Sequence, residues 1–199
     1  MSHISTARQA ELHAADAKTV FGFWVYLMTD CVLFASLFAT FVVLRNNTFG
    51  GPAGNELFSL SFVLTETLVL LTSSFTAGLG MLAARRHDRR QVLLWFGITM
   101  LLGLFFLTME VTEFHKLAVE GNSWRRSGFL SAFFTLVGTH GLHITCGLIW
   151  MITMLIKTSR HQITSRTIKQ FTMLSLFWHF LDIIWIFIFT IVYLIGVAT

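Results

Sequence analysis

Five runs of about 20 or more mostly apolar residues follow one another along a chain of 199, and few folds other than a membrane bundle can absorb that pattern. A hydrocarbon core of roughly 30 Å is crossed by about 20 helical residues. The runs lie near 21–44, 58–84, 92–111, 129–156 and 171–197. They are rich in Leu, Phe, Ile, Val and Met and lack the in-out alternation of a transmembrane β-barrel strand. A run with no water around it satisfies its backbone internally only as a helix. The expected fold is therefore an all-α membrane protein of five transmembrane helices. One bundle over 21–199 is expected to follow a polar tail of residues 1–20, and the connections are too short for a second domain.

Composition narrows the function classes. Charged residues make up 12% of the chain, about half of what covers a soluble domain. The formal charge of +4 is not a nucleic-acid patch, because the basic residues sit between apolar runs. Their placement instead sets an orientation. Arg8, Lys18, Arg85, Arg86, Arg89, Arg90, Lys157, Arg160, Arg166 and Lys169 fall on one side. Arg45, Lys116, Arg125 and Arg126 fall on the other. The heavier side is expected to be cytoplasmic, with the N-terminus there and the C-terminus periplasmic. The first 20 residues lack the basic head and short apolar core of a signal peptide, so the first helix reads as a retained anchor. Cys31 and Cys146 belong to no CxxC pattern and read as buried small hydrophobes.

Ionisable groups inside spans are costly and usually face a bundle interior, paired with one another. This chain has Asp30, Glu66, Glu110, Glu113, His140, His143, His179 and Asp182. His140 and His143 share a helix face with Leu136 and Gly147, and His179 and Asp182 share one with Ser175. Glu66 is in line with Ser73, Ala77 and Gly80, and Ala35 with Ala39 forms a small-xxx-small pair. At 1.5 Å per residue, His140 and His143 come to about 13 and 9 Å from the inner face. His179 and Asp182 come to about 12 and 16 Å, Asp30 to about 13 Å and Glu66 to about 18 Å, with Glu110 an outlier near 27 Å. Six groups from four helices are thus expected in one central layer. Three uses stay open for it: a metal or haem site, a proton-relaying transporter, and a buried hydrogen-bonded network that fixes register. The last is favoured. A Glu-x-x-His repeated on two helices, the usual bundle metal site, does not occur, and no span is broken at its centre.

Three segments carry a family resemblance: FGFWVYLMTDCVLFASLFATF from Phe21, SGFLSAFFTLVGTHGLHITCGLIWM from Ser127, and LFWHFLDIIWIFIFTIVYL from Leu176. They resemble subunit III of the haem-copper terminal oxidases, nearest the cytochrome bo-type ubiquinol oxidase branch. The specific part is THGLH followed at this distance by WHFLD. The resemblance implies five helices where the cytochrome c oxidase branch typically has seven. It is shared with short accessory proteins of nitric oxide reductases. It implies a complex that oxidises ubiquinol, reduces oxygen to water and pumps protons in a bacterial inner membrane, with subunits I, II and IV as partners. The haems and copper are expected in subunit I, with no catalytic, cofactor or metal residue in this chain. Bound phospholipid is expected in the cleft of a V-shaped helix arrangement. Glu66 matches the family's span-two carboxylate and is expected to face that cleft. A competing expectation is a stand-alone metal oxidase using His140, His143, His179 and Asp182.

Overall fold

Helix ends in this chain are written locally. Asp88, Ser127 and Thr164 each accept a backbone N–H three residues ahead, from Gln91, Leu130 and Thr167, which satisfies a donor that the first helical turn leaves orphaned. The second connection turns at His87, whose φ of 55° lies in the left-handed region. The third turns at Gly121 with φ 79°, and there Asn122 N–H returns to Leu117 C=O at 2.9 Å, closing the helix as a left-handed glycine cap does.

The resulting helices, in a computed structural model, are α1 (Ser2–Leu44), α2 (Leu60–Arg85), α3 (Arg89–Val119), α4 (Gly128–Arg160) and α5 (Ser165–Ile188). A π-helical turn (Phe189–Leu194) and a short α6 (Ile195–Ala198) complete the last span. The structure describes the backbone of residues 2–48 and 59–198, and the side chains of 17–48 and 59–196. Arg8 and the expected start of the second span at Phe58 lie outside the described side chains. No strand occurs among the described residues. Five helices are long and apolar enough to cross a membrane, as expected. Two differ most from expectation: the first helix begins at Ser2, inside the expected polar tail, and the third continues to Val119 rather than ending at Val111. Glu113, His115 and Lys116 end the apolar run but are compatible with a helix, so the backbone carries on past the greasy part.

Neighbouring helices run antiparallel in fixed register. On α2 and α3, Thr76 meets Thr99 at 2.8 Å, and a Cβ at Gly80 would touch the Phe96 ring. On α4 and α5, His140 stacks on Trp185 and Gly147 lies against Trp178. On α1 and α4, Phe23 meets Trp150 and Phe41 meets Phe129. Helices α2 to α5 form the bundle, and α1 packs mainly on the outer side of α4. Trp178 is its keystone. The indole is 1% exposed, fills the space left by Gly103 and Gly147, and donates to Ser73 Oγ at 3.1 Å. Both cysteines depart from the expected burial: Cys31 is half-buried and Cys146 faces outward. Its helix is apolar on both its lipid and its protein sides, so hydrophobicity alone does not tell one from the other.

Candidate functional site

The same registers decide which ionisable groups meet. They do not form one layer. They separate into three groups and one isolated histidine.

The first group joins α1 to α4. Asp30 Oδ2 lies 3.7 Å from His143 Nε2, while His143 Nδ1 donates to the Thr139 carbonyl at 2.7 Å. A carbonyl only accepts, so that ring nitrogen carries the proton and orients the other towards the acid. The Tyr26 hydroxyl, one turn back on α1, interacts with Asp30 as well.

The second group is acidic. The α2–α3 register sets Glu66 opposite Glu110, and Glu113 is one turn further on. Glu110, expected as an outlier in depth, therefore joins Glu66. Span edges do not set their relative height; the shared α2–α3 turn does, through the Thr76–Thr99 and Gly80–Phe96 register. The three carboxylates lie within electrostatic range of one another and of Tyr193. Tyr193 is fully buried and donates to Glu113 Oε2 at 2.8 Å. Glu66 is 0% exposed, and neither of its oxygens has a hydrogen-bond partner among the described residues. Its carboxyl is fully enclosed within the chain. Glu110 presses its carboxyl against α4, where a Cβ on Gly141 would come within 2.5 Å of Oε1. Only glycine at 141 lets the acid lie there.

The third group joins α2 to α5. Ser74 Oγ and His179 Nδ1 are 2.5 Å apart. Asp182, one turn along α5, interacts with both, and its Oδ1 has no partner among the described residues.

His140 stands alone. It is 0% exposed, stacked on Trp185 at 5.2 Å, edge-on to Phe106 at 6.0 Å and near Phe34. The three histidines thus point at three different neighbours: a carboxylate, a serine and a wall of rings. Metal ligands converge on a common point, and these do not. Among the described residues no three His, Cys, Asp or Glu side chains are placed to hold a metal ion.

Two open grooves border His179. One, about 380 Å³, runs between α1, α2 and α5, with Phe23, Trp24 and Met81 on its walls and Arg85 and Lys169 at one end. The other is a shallow groove of about 450 Å³ on the outer side of α2 and α5. Sequence reasoning did not find either, because both depend on which faces are left uncovered.

Comparison with known proteins agrees with this architecture. Residues 4–197 match the family described as cytochrome c oxidase subunit III. Subunit 3 of the cytochrome bo(3) ubiquinol oxidase of Pseudomonas aeruginosa is 53% identical over 92% of this chain and 88% of its own. The protein of that name from Pseudomonas putida is 54% identical over 93% and 89%. A cytochrome c oxidase subunit 3 from Bacillus sp. (strain PS3) is 46% identical over 89% of this chain and 86% of its own. Length therefore does not separate the two kinds of oxidase, contrary to the helix-count expectation.

Proposed function

This chain belongs to the cytochrome c oxidase subunit III family, and from that premise we propose that it is a non-catalytic structural subunit of a proton-pumping terminal ubiquinol oxidase. The observation that carries the reading is identity above one half, over nine-tenths of the chain, to two relatives named as subunits of that enzyme. The geometry is in keeping with it. Ionisable side chains here go to hydrogen bonds, aromatic walls and helix registers, and none of the three histidines shares a ligand point with another. In this reading the haems and copper reside in subunit I, subunits II and IV complete the complex, and ubiquinol is oxidised outside this chain. The complex sits in a bacterial inner membrane, with the RRHDRR turn and the N-terminal tail in the cytoplasm.

The role of the chain is to scaffold subunit I and sustain its proton uptake. It does so by rigid packing and by holding phospholipid. The groove bounded by Phe23, Trp24 and Met81 has apolar walls for an acyl chain, and Arg85 and Lys169 at its end supply charge for a phosphate. Polar groups expected to make the buried network (Asp30, Glu66, Glu110, Glu113, His140, His143, His179 and Asp182) act structurally.

A second reading concerns the electron donor, since a cytochrome c oxidase subunit is 46% identical. Purification of the tagged chain from membranes, followed by mass measurement of the intact assembly, tests the subunit reading. The expected result is a complex with a haem- and copper-bearing partner that turns over with ubiquinol. Turnover with reduced cytochrome c instead supports the second reading. Stoichiometric iron or copper on the chain purified alone defeats both.

A further inference from the structure

The acids of the α2–α3 interface are short of donors in a way the other buried acids are not. Asp30 has the Tyr26 hydroxyl and faces His143, and Asp182 has Ser74 and His179. Among the described residues, Glu66, Glu110 and Glu113 have one side-chain donor between them, the Tyr193 hydroxyl, and it goes to Glu113. Glu66 is 0% exposed with both oxygens unpartnered, and Glu110 is 2% exposed with Oε2 unpartnered. The ionisable groups around the two are each other, Glu113 and Tyr193, and the Lys116 ammonium acts on Glu113. From α4 comes only the backbone at Gly141, because the adjoining His140 is turned into the rings of Phe34, Phe106 and Trp185. From α1, Asp30 is turned to His143. Two enclosed carboxylates with neither cation nor donor are not sustainable in such a place. A carboxyl that carries a proton both donates and accepts, so two of them facing across a helix interface satisfy each other.

The trio also has a way out. A groove of about 290 Å³ at the end of the bundle opposite the RRHDRR turn is lined by Ser59, Phe62, Thr112, Glu113, Lys116 and Leu117. Glu113 is half-buried and belongs both to the trio and to the groove. We propose that Glu66 and Glu110 form a proton-binding site, each holding one proton as a neutral acid, which fills and empties through Glu113 and this groove from the outer face. Glu113, with Tyr193 donating to it and Lys116 beside it, carries the negative charge. In each transfer a carboxylic O–H of Glu66 or Glu110 breaks and one forms on Glu113. That proton then passes to solvent at the groove mouth, and no electron moves. In the other direction the site is a dead end, since His140 stands behind Phe106 and Trp185. The proposal concerns this chain's own carboxyls and goes beyond their part in packing; it does not depend on which oxidase the chain serves.

The test uses the assembly purified from membranes and infrared difference spectra between parent and variants, which separate the C=O stretch of an undissociated carboxylic acid from the bands of a carboxylate. At neutral pH, Glu66→Gln and Glu110→Gln are each expected to abolish one carboxylic-acid band, and Glu113→Gln to abolish none. Glutamine imitates the neutral acid in shape and charge, so the yield and unfolding midpoint of the Glu66→Gln assembly are expected to match those of the parent. Transfer of the parent to D2O is expected to shift both bands. Ser59 starts α2 without a side-chain capping bond, so Ser59→Trp narrows the groove mouth and leaves the fold alone. It is expected to keep both bands and slow their shift severalfold. Undiminished carboxylic-acid absorption in Glu66→Gln and Glu110→Gln overturns the proposal. Loss of assembly in Glu66→Gln overturns it too, because a charge was then required. Exchange in Ser59→Trp at the parent rate overturns the route through the groove. These outcomes leave the subunit reading intact, which fails separately if the chain purifies without an oxidase partner.

Discussion

Glycine 141 shows how narrowly a polar side chain is accommodated in this bundle. The backbone of α4 at that point is the surface on which the Glu110 carboxyl rests, with 2.5 Å between Oε1 and the place a methyl group would take. Gly141→Ala is expected to destabilise the chain by about 1–3 kcal/mol, the usual cost of overpacking. Combining it with Glu110→Ala should restore part of the loss, read as non-additivity in a double-mutant unfolding experiment. Tyr193→Phe removes the hydroxyl that donates to Glu113 and should cost about 1–3 kcal/mol, since a buried acceptor loses a donor. Titration of the purified complex with a denaturing detergent measures it. Which residues are buried was largely legible: Asp30, Glu66, Glu110, His140 and Asp182 are all 7% exposed or less. Who meets whom was not. Glu110 and Glu66 are 44 positions apart in sequence, and only the turn at His87 fixes their relative height.

At the scale of helices, connections carry more information than spans. The apolar runs located all five helices, yet they missed the last two turns of α3, where apolarity stops before helicity does. They also could not say which flank of a uniformly greasy helix meets lipid, which is why Cys146 was misplaced. The turn at His87 holds a side chain at φ 55°, costing roughly 1–2 kcal/mol for an L residue other than glycine or Asn/Asp. The His87 ring reaches Ile163 C=O only at 3.4 Å, a weak recompense. His87→Gly is therefore expected to stabilise the chain by about 0.5–1 kcal/mol, seen as a higher unfolding midpoint. Arg89 of the same turn donates to the Ser159 carbonyl, tying the α2–α3 connection to the end of α4. The π-helical turn at Phe189–Leu194 was not legible either; it accompanies the placing of Tyr193 among the acids, and no residue pattern announces it.

Seen whole, the molecule is a bundle of four helices with α1 docked mainly on the outer side of α4. Only 22% of the α1 span is buried, against 50% for the second and fifth spans. A chain with so much uncovered surface is expected to unfold at a lower temperature when purified alone than within its complex, because partners that bind only the folded form add stability. Differential scanning of the two preparations checks this. Family and fold class could be read from THGLH, WHFLD and the apolar runs. The partition of the acids and histidines could not, because it arises from three helix registers at once. That partition has an electrical consequence. If the complex builds a proton gradient, as proposed above, a continuous string of titratable groups through this chain would be a short circuit. Aromatic rings around His140 and the enclosure of Glu66 keep the titratable groups in separate islands, so in the proposed complex this chain offers protons no continuous path across the membrane.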